Sequence, residues 1–188
     1  MVRPKKHSSK SAQKKKAIRA VRFSVATSLD GFIAGPNDEA DWIIMDPAFD
    51  FSALFQQFDT LLIGRRTFEL MQRGGTGTMP GMTTIVVSRT LNPRDFPKLA
   101  IARDLVATVQ ALKQKQGKDI WLFGGGSLFR SALDAGVVDT IELAVVPILL
   151  SDGVPLLPRG ARSPALHLME SRALPSGIVL LTYGVKQK

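Results

Sequence analysis

One segment, DIWLFGGGSLFRSAL at positions 119–133, constrains the fold of this chain more than any other. Its first half is a short apolar run of β-forming residues, and in its second half apolar residues recur at helical spacing. This pattern predicts a buried strand that leads directly into an amphipathic helix. The junction consists of Gly124, Gly125 and Gly126. Because glycine is costly in chain entropy, three in a row predict a backbone conformation or a close approach that a side chain would prevent.

Strand and helix patterns alternate along the rest of the chain. Asp46 is a candidate N-cap for a helix over 47–58, and Asp104 for a helix that ends near Gln116. At the C-terminus, Pro175-Ser176-Gly177 joins two strand patterns as an antiparallel hairpin. Strands are predicted over 21–27, 60–63, 83–87, 120–123, 140–146, 165–174 and 178–185, and a further short helix over 67–71. The sequence therefore predicts an α/β sandwich whose sheet is mixed at one edge.

The net charge of +9 is confined to the start of the chain. Of the 25 Lys and Arg residues, nine precede the first acidic residue, Asp30, and the other 16 balance the 16 acids. Such a Lys- and Ser-rich segment buries too little surface to fold. We therefore predict a basic, disordered tail over 1–19 and one folded domain over 20–188. Weak, salt-dependent contact of the tail with nucleic acid and a role in organelle targeting are the alternatives.

Cysteine is absent from the sequence, which excludes a disulfide framework, a thiolate metal site and a cysteine nucleophile. This composition fits a reducing, cytoplasmic location, and we expect no metal site. The longest apolar run, residues 143–150, contains a proline and is shorter than the ~20 residues that a membrane-spanning helix needs. A membrane is therefore not expected among the partners.

Three strand–helix junctions carry groups that bind phosphate. The first, Gly64-Arg65-Arg66-Thr67, offers two guanidinium groups and a hydroxyl at a helix start. The second, Ser88-Arg89, ends a strand with a hydroxyl and a cation, and the third is the glycine triplet followed by Ser127. Taken singly, the triplet is also explained by a tight turn, and the paired arginines by a solvated helix start. Together they predict a phosphorylated ligand, and the two arginine-bearing loops favour NADPH over NADH.

The sequence also resembles the dihydrofolate-reductase-like family, in segments that follow one another in the family's order. These are SVATSLDGFIAGPNDEADWI, LLIGRRTFELM, TIVVSRT and DIWLFGGGSLFRSALDAGVVDTIELAVVPILLSDGVPLLP. They are most similar to the reductase domain of bifunctional riboflavin-biosynthesis deaminase-reductases and its stand-alone relatives, from Ala20 to the C-terminus. The resemblance implies a three-layer sandwich with a mostly parallel, mixed eight-stranded sheet, a C-terminal antiparallel hairpin, and NADPH as hydride donor.

The resemblance also implies roles for individual residues. It places Ile33 and Ala34 beside the nicotinamide, and Pro147 and the loop 149–153 on the substrate side and at a dimer contact. The residues that it assigns to the phosphates are Gly64, Arg65, Arg66 and Thr67 near the adenosine, Ser88 and Arg89 at the 2′-phosphate, and Gly124, Gly125, Gly126, Ser127 and Leu128 at the pyrophosphate.

Two carboxylates, Asp30 and Asp50, are candidate catalytic groups, because a C=N or C=O acceptor of hydride also needs a proton. Dihydrofolate reductases carry a carboxylate on the helix after a tryptophan, and Trp42 precedes Asp46, a candidate cap, and Asp50. Asp30 precedes a glycine, so a turn role competes with a catalytic one. Trp42 is either a stacking platform for a flat heterocycle or a residue of the core or of a lid. The predicted substrate contacts are Asp30, Trp42, Asp50 and Pro147.

These observations predict an NADPH-dependent reductase of a pyrimidine- or pterin-like heterocycle, most similar to 5-amino-6-(5-phosphoribosylamino)uracil reductase of riboflavin biosynthesis. A deaminase half needs a zinc site with Cys and His ligands, and this chain offers only His7 and His167. The alternatives are dihydrofolate reductase and a non-catalytic nucleotide-binding protein whose tail binds nucleic acid. The apolar residues 141–150, together with the resemblance, lead us to expect a homodimer.

Overall fold

An eight-stranded sheet with helices on both faces forms the centre of the protein, seen in a computed structural model that describes residues 18–186. Its strands are β1 (Val21–Ser28), β3 (Phe58–Gly64), β4 (Thr83–Val87), β5 (Ala100–Ala102), β6 (Asp119–Gly124), β7 (Thr140–Val146), β9 (Leu166–Ala173) and β10 (Val179–Val185). The shorter strands β2 (Phe32–Ala34) and β8 (Val154–Pro155) pair with each other. The helices are α1 (Phe51–Phe55), α2 (Arg65–Arg73), α3 (Leu105–Gln114) and α4 (Gly126–Asp134), with a 3-10 turn at Pro93–Asp95.

The strand order in the sheet is β5-β4-β3-β6-β1-β7-β10-β9. The first six of these are parallel to one another, whereas β10 pairs antiparallel with both β7 and β9. The predicted α/β sandwich with a mixed sheet and a C-terminal antiparallel hairpin is confirmed. Because β3 and β6 lie in the middle of the parallel part, the loops after them open at the centre of one sheet edge.

Successive side chains of β6 point to opposite faces of the sheet and belong to two separate apolar layers. Ile120 and Leu122 pack with apolar residues of α3 and α4 on one face of the sheet. Trp121 packs with Phe68 of α2 and Leu54 of α1 on the other face. The protein is therefore a three-layer sandwich, in which α1 and α2 cover one face and α3 and α4 cover the other.

The segment 46–58 departs from the prediction of one long helix. Only Phe51–Phe55 is helical, and its N-cap is Asp50 rather than Asp46. The Asp46 carboxylate instead accepts hydrogen bonds from the amides of Ala48 at 2.7 Å and Ser176 at 2.9 Å. These bonds fix a turn at 46–49 and attach it to the loop between β9 and β10, so the helix begins later.

The folded region begins before the predicted boundary at Ala20. Arg19 is buried, and its guanidinium group pairs with Asp59 and donates hydrogen bonds to Thr60 Oγ1 at 2.8 Å and the Lys118 carbonyl at 2.6 Å. Arg19 therefore belongs to the domain and not to the basic tail. The rest of the predicted tail, residues 1–17, lies outside the described residues.

The apolar segment 141–150 is explained mainly by burial, since β7 lies between β1 and β10. Ile141 and Val146 are buried, whereas every residue of the edge strand β9 is exposed. On β9, Leu168 is 55% and Met169 58% exposed. The homodimer stays a prediction, and the exposed apolar side chains that could serve it include Leu149 of this segment, 64% exposed, as well as those on β9. Separately, none of the helices within residues 18–186 has the length and apolar character to cross a membrane.

Candidate cofactor and substrate cleft

Four loops at the carboxyl ends of parallel strands open into one cleft of about 1720 Å³. They follow β3, β4, β5 and β6. All but one of the residues predicted to bind the cofactor line this cleft, the exception being Gly124. Those that do are Ile33, Ala34, Gly64, Arg65, Arg66, Thr67, Ser88, Arg89, Gly125, Gly126, Ser127 and Leu128. The sequence motifs therefore meet at one site, although they are far apart in the chain.

Two helices begin side by side in the cleft, because β3 and β6 are neighbours in the sheet. Their N-caps are Gly64 for α2 and Gly125 for α4, and neither has a side chain that caps the first turn. In contrast, α1 and α3 are capped by the carboxylates of Asp50 and Asp104. The amides in the first turns of α2 and α4 thus lack a side-chain acceptor and carry the positive end of the helix dipole. This arrangement is suited to an anion.

The glycine triplet has reasons within the protein as well. Gly124 has φ +122°, which side-chain-bearing residues rarely adopt, and its peptide bond to Gly125 is cis. A Cβ on Gly126 would lie 2.6 Å from the carbonyl oxygen of Pro155, closer than real Cβ atoms approach backbone. The sequence predicted a close approach at this junction, and the approaching group at Gly126 is the chain's own β8. Only Gly125 and Gly126 of the three also line the cleft.

The three predicted arginines differ in their partners. Arg65 donates to Thr90 Oγ1 at 3.1 Å and pairs with Glu69 at 3.4 Å. Arg66 donates to both carboxylate oxygens of Asp38, at 2.7 and 2.9 Å. Arg89 is exposed and makes no hydrogen bond or ion pair with any described residue. Of these three arginines, Arg89 is therefore the one whose guanidinium donors have no partner among the described residues and remain available to a ligand.

The loop that carries Arg89 is held in shape by two side chains. The Ser88 hydroxyl accepts hydrogen bonds from the amides of Thr90 at 3.2 Å and Leu91 at 3.0 Å. Arg103 donates to the carbonyls of Ser88 at 2.8 Å and Leu91 at 2.7 Å, and it also lines the cleft. Sequence reasoning missed Arg103 because the strand before it, β5, has only three residues. The Asp104 cap directly after it was the available signal, because it marks a further strand–helix junction at which Arg103 lies.

The predicted catalytic role of Asp30 is not supported by its position. Asp30 does not line the cleft, and its carboxylate accepts hydrogen bonds from the Ser28 hydroxyl at 2.6 Å and the amides of Leu150 at 3.1 Å and Ser151 at 2.7 Å. The Ser28 hydroxyl, followed by the two amides, lowers the pKa of Asp30 below its ordinary value. An ionised, fully occupied carboxylate fits the competing turn role and not that of a proton donor.

The other predicted substrate contacts also lie outside the cleft. Asp50 caps α1 through a 2.8 Å bond from the Ala53 amide and borders a smaller depression beside the cleft. Trp42 packs against the apolar cluster that contains Val146, and its Nε1 donates to the carbonyl of Glu39 at 3.3 Å. Pro147 likewise does not line the cleft. Trp42 is half-buried, and its place beside this apolar cluster favours a packing role over a stacking platform in the cleft.

Five carboxylates that were not predicted to contact the substrate line the cleft: Asp38, Asp46, Asp104, Glu142 and Asp152. Asp38 is bonded to Arg66 and Asp104 caps α3, whereas Asp46 and Glu142 lie beside β7 and β10. Glu142 is paired with Arg22 by two bonds, from Nε at 2.6 Å and from Nη2 at 3.0 Å. The nearby Ser176 hydroxyl, with the amides of Ala48 and Ser176, lowers the pKa of Asp46. Glu142 was missed because it interrupts an otherwise apolar strand pattern that reads as core.

A mostly parallel sheet with an antiparallel C-terminal pair, and a cleft at the carboxyl ends of its strands, define the dihydrofolate-reductase-like class of α/β proteins. Within that class the chain belongs to the RibD C-terminal domain family, whose sequence model matches residues 19–180. It is thus a reductase-like domain.

Relatives agree with this assignment. YyaP of Bacillus subtilis (strain 168) is 34% identical over 177 residues, which cover 88% of this chain and 94% of that protein. A structure from Shewanella sp. PV-4, described as a riboflavin biosynthesis protein, has a TM-score of 0.77 at 26% identity and covers 89% of this chain and 99% of that one.

A third similarity concerns the fold alone. The diaminohydroxyphosphoribosylaminopyrimidine deaminase/5-amino-6-(5-phosphoribosylamino)uracil reductase of Thermotoga maritima has a TM-score of 0.67 at 16% identity. The match covers 90% of this chain and 57% of that one.

Proposed function

We propose that this protein is an NADPH-dependent reductase that transfers hydride to a pyrimidine- or pterin-like heterocycle. The observation that carries the proposal is the convergence of four loops on one cleft. Its volume of about 1720 Å³ exceeds the ~300–1,000 Å³ usual for a single small ligand, so it has room for a dinucleotide and a second molecule. NADPH, when bound, would supply the hydride.

The residues present fit a dinucleotide. The unshared amides at the starts of α2 and α4 suit the pyrophosphate, since two helix dipoles add there. Arg65 and Thr67, at the first turn of α2, would bind the adenosine phosphates. Ile33 and Ala34 on β2 form the apolar side on which the nicotinamide would lie. These groups bind and orient the cofactor, and the reacting carbon of the substrate has to come within ~3–3.5 Å of it.

The loop 88–91 supports the choice of NADPH over NADH. Arg89 has no partner among the described residues, and a free guanidinium beside hydroxyl groups is suited to a 2′-phosphate. Arg103 holds this loop by its two carbonyl contacts, which keeps Arg89 at the cleft.

We assign the proton to a bound water, because no carboxylate at the substrate side of the cleft is placed to donate one, Glu142 being paired with Arg22. The acceptor carbon of a C=N or C=O group receives the hydride, and its nitrogen or oxygen takes the proton. Asp30 and Asp50 lie outside the cleft, and Asp46 is ionised near neutral pH because its pKa is lowered. Asp46 therefore serves to bind and orient the substrate rather than to donate a proton.

The experiment that tests this proposal is the exchange Arg89→Ala. Loss of a charged contact to the 2′-phosphate should weaken NADPH binding about tenfold or more, equal to about 1.4 kcal/mol, and leave NADH binding nearly unchanged. Titration of the nicotinamide fluorescence with each cofactor gives both dissociation constants.

The matched control is Arg162→Ala, an exposed arginine that does not line the cleft. This control should bind both cofactors like the original protein. Equal weakening of NADPH and NADH by Arg89→Ala would remove Arg89 from 2′-phosphate recognition, and failure of the unaltered protein to bind either cofactor would refute the reductase proposal.

A further inference from the structure

The two ends of the cleft differ in charge. The cofactor end is formed by the loops after β3, β4, β5 and β6, and it carries four cations, Arg65, Arg66, Arg89 and Arg103. The substrate end is formed by residues of β1, β7 and β10 and by the facing segment 43–55. Within residues 18–186, no Lys, Arg or His lines the substrate end.

The wall of the substrate end is mostly apolar. Its polar side chains include Ser24 and Thr182 and the carboxylates Asp46 and Glu142, while Phe49, Leu180 and similar residues supply the rest. Glu142 is neutralised by its paired bonds from Arg22. The charge of Asp46 is not balanced by a direct ion pair, because its hydrogen bonds come from the uncharged amides of Ala48 and Ser176. Arg172, outside this end, is near enough to help lower the pKa of Asp46, but it forms no ion pair with that carboxylate. The lining of this end is therefore mostly apolar, and the charged groups within it are carboxylates.

We infer that the substrate of this cleft is an uncharged pyrimidine- or pterin-like heterocycle that carries no phosphate group, an inference that rests on the proposed reductase function. A phosphate dianion at the substrate end would lose its hydration against apolar side chains and would face a carboxylate, and no cation lines this end to offset either cost. A flat neutral ring meets neither penalty and gains from burial against Phe49 and Leu180.

The smaller depression beside this end does not provide a phosphate site either. It contains two arginines, Arg22 and Arg172, together with Asp50, Glu142 and Glu170. Arg22 is already bonded to Glu142 and, at 3.3 Å, to Asp119. The two cations are therefore outnumbered by carboxylates, and Arg172 is the single residue there through which a phosphate could still be held.

The test compares one pyrimidine with and without its phosphate. The probes are 5-amino-6-(5-phosphoribosylamino)uracil, the same compound after phosphatase treatment, and 7,8-dihydrobiopterin as an unphosphorylated pterin. NADPH consumption by the full-length protein is followed at 340 nm, and binding of each probe to the NADPH-loaded protein is measured by calorimetry. We expect at least one unphosphorylated probe to be used or bound at least tenfold better than the phosphorylated one.

The variant Arg172→Gln, with Arg162→Gln as its matched control, examines the remaining cation. We expect both variants to keep the preference of the original protein. The inference is overturned if the phosphorylated probe is preferred, if the unphosphorylated probes neither react nor bind, or if Arg172→Gln selectively weakens the phosphorylated probe. A protein that binds no NADPH refutes the proposed function instead, and the separate cofactor titration reports that outcome.

Discussion

Asp30 joins two loops that are distant in the sequence. Its carboxylate lies at the turn between β1 and β2 and accepts the amides of Leu150 and Ser151 from the loop after β7. The Ser28 hydroxyl completes the set at 2.6 Å. With three donors on two oxygens, this side chain fixes the position of one loop relative to the other.

The exchange Asp30→Asn should lower stability without abolishing reductase activity. An amide can accept at one oxygen, but its NH₂ group then faces a backbone donor, so at least one bond is lost. Because the pKa of Asp30 is lowered in the folded state, the unfolded state binds more protons in acid. The contribution is therefore fully present above the unfolded pKa of about 3.9 and is lost as pH falls through the lower folded value. Urea unfolding at neutral and acidic pH measures it.

Asp41→Asn is the matched control, since Asp41 is exposed on a nearby loop and has no hydrogen bond or ion pair among the described residues. Its unfolding free energy at neutral pH should stay close to that of the original protein. If Asp30→Asn were as stable as the original protein but unable to reduce substrate, the catalytic role would be restored.

The strand β8 packs closely against the start of α4. A Cβ on Gly126 would meet the Pro155 carbonyl oxygen at 2.6 Å and the Pro158 ring at 3.1 Å. The exchange Gly126→Ala should therefore destabilise the protein by about 1–3 kcal/mol, since backbone has to move to admit the methyl group. Because the same displacement shifts the first turn of α4, NADPH affinity should fall as well. Urea denaturation and fluorescence titration report the two effects.

Gly74→Ala provides the comparison, because a Cβ there has only ordinary contacts, the nearest at 3.5 Å, and φ is −76°. We expect little change in stability from it. If Gly126→Ala had the same unfolding free energy as the original protein, the contact between β8 and the start of α4 would not be tight enough to exclude a methyl group.

Local patterns predicted the elements that local interactions decide. The bounds of β4 and β7 agree with the predicted strands, and α3 begins after the Asp104 cap as expected. The prediction that Asp46 caps a helix was wrong, because Asp46 accepts a hydrogen bond from the Ser176 amide, which is 130 residues away in sequence and is not visible in the local pattern. The strands β5 and β8, of three and two residues, are too short to show a period.

The two ends of the cleft differ in how far they could be predicted. The cofactor end was predictable because strand–helix junctions with Gly and Arg have a sequence signature. The substrate end consists of strand faces such as Glu142 and Leu180, which look like core residues until the sheet order is known.

For the whole molecule, the basic segment and the cleft should act separately. Deletion of residues 1–17 should leave NADPH affinity unchanged and reduce any affinity for duplex DNA at low salt, since that segment holds much of the excess positive charge. The deletion has to stop before Arg19, because this residue is buried and paired with Asp59. Nicotinamide fluorescence and fluorescence anisotropy of a labelled duplex measure the two affinities.

The control is the full-length protein in high salt, where contact with DNA should weaken while the cofactor site stays formed. Loss of NADPH affinity on deletion would show that the basic segment, and not the cleft, holds the phosphates.

The adjacency of β3 and β6 has a further consequence for folding. Phe58–Gly64 and Asp119–Gly124 become neighbours only when the parallel sheet is assembled, so the paired starts of α2 and α4 do not exist in an unfolded chain or in either half alone. A dinucleotide that spans them binds the native state and not its fragments. Binding of the proposed coenzyme would therefore be thermodynamically linked to assembly of the whole sheet, and it would stabilise the native state against unfolding.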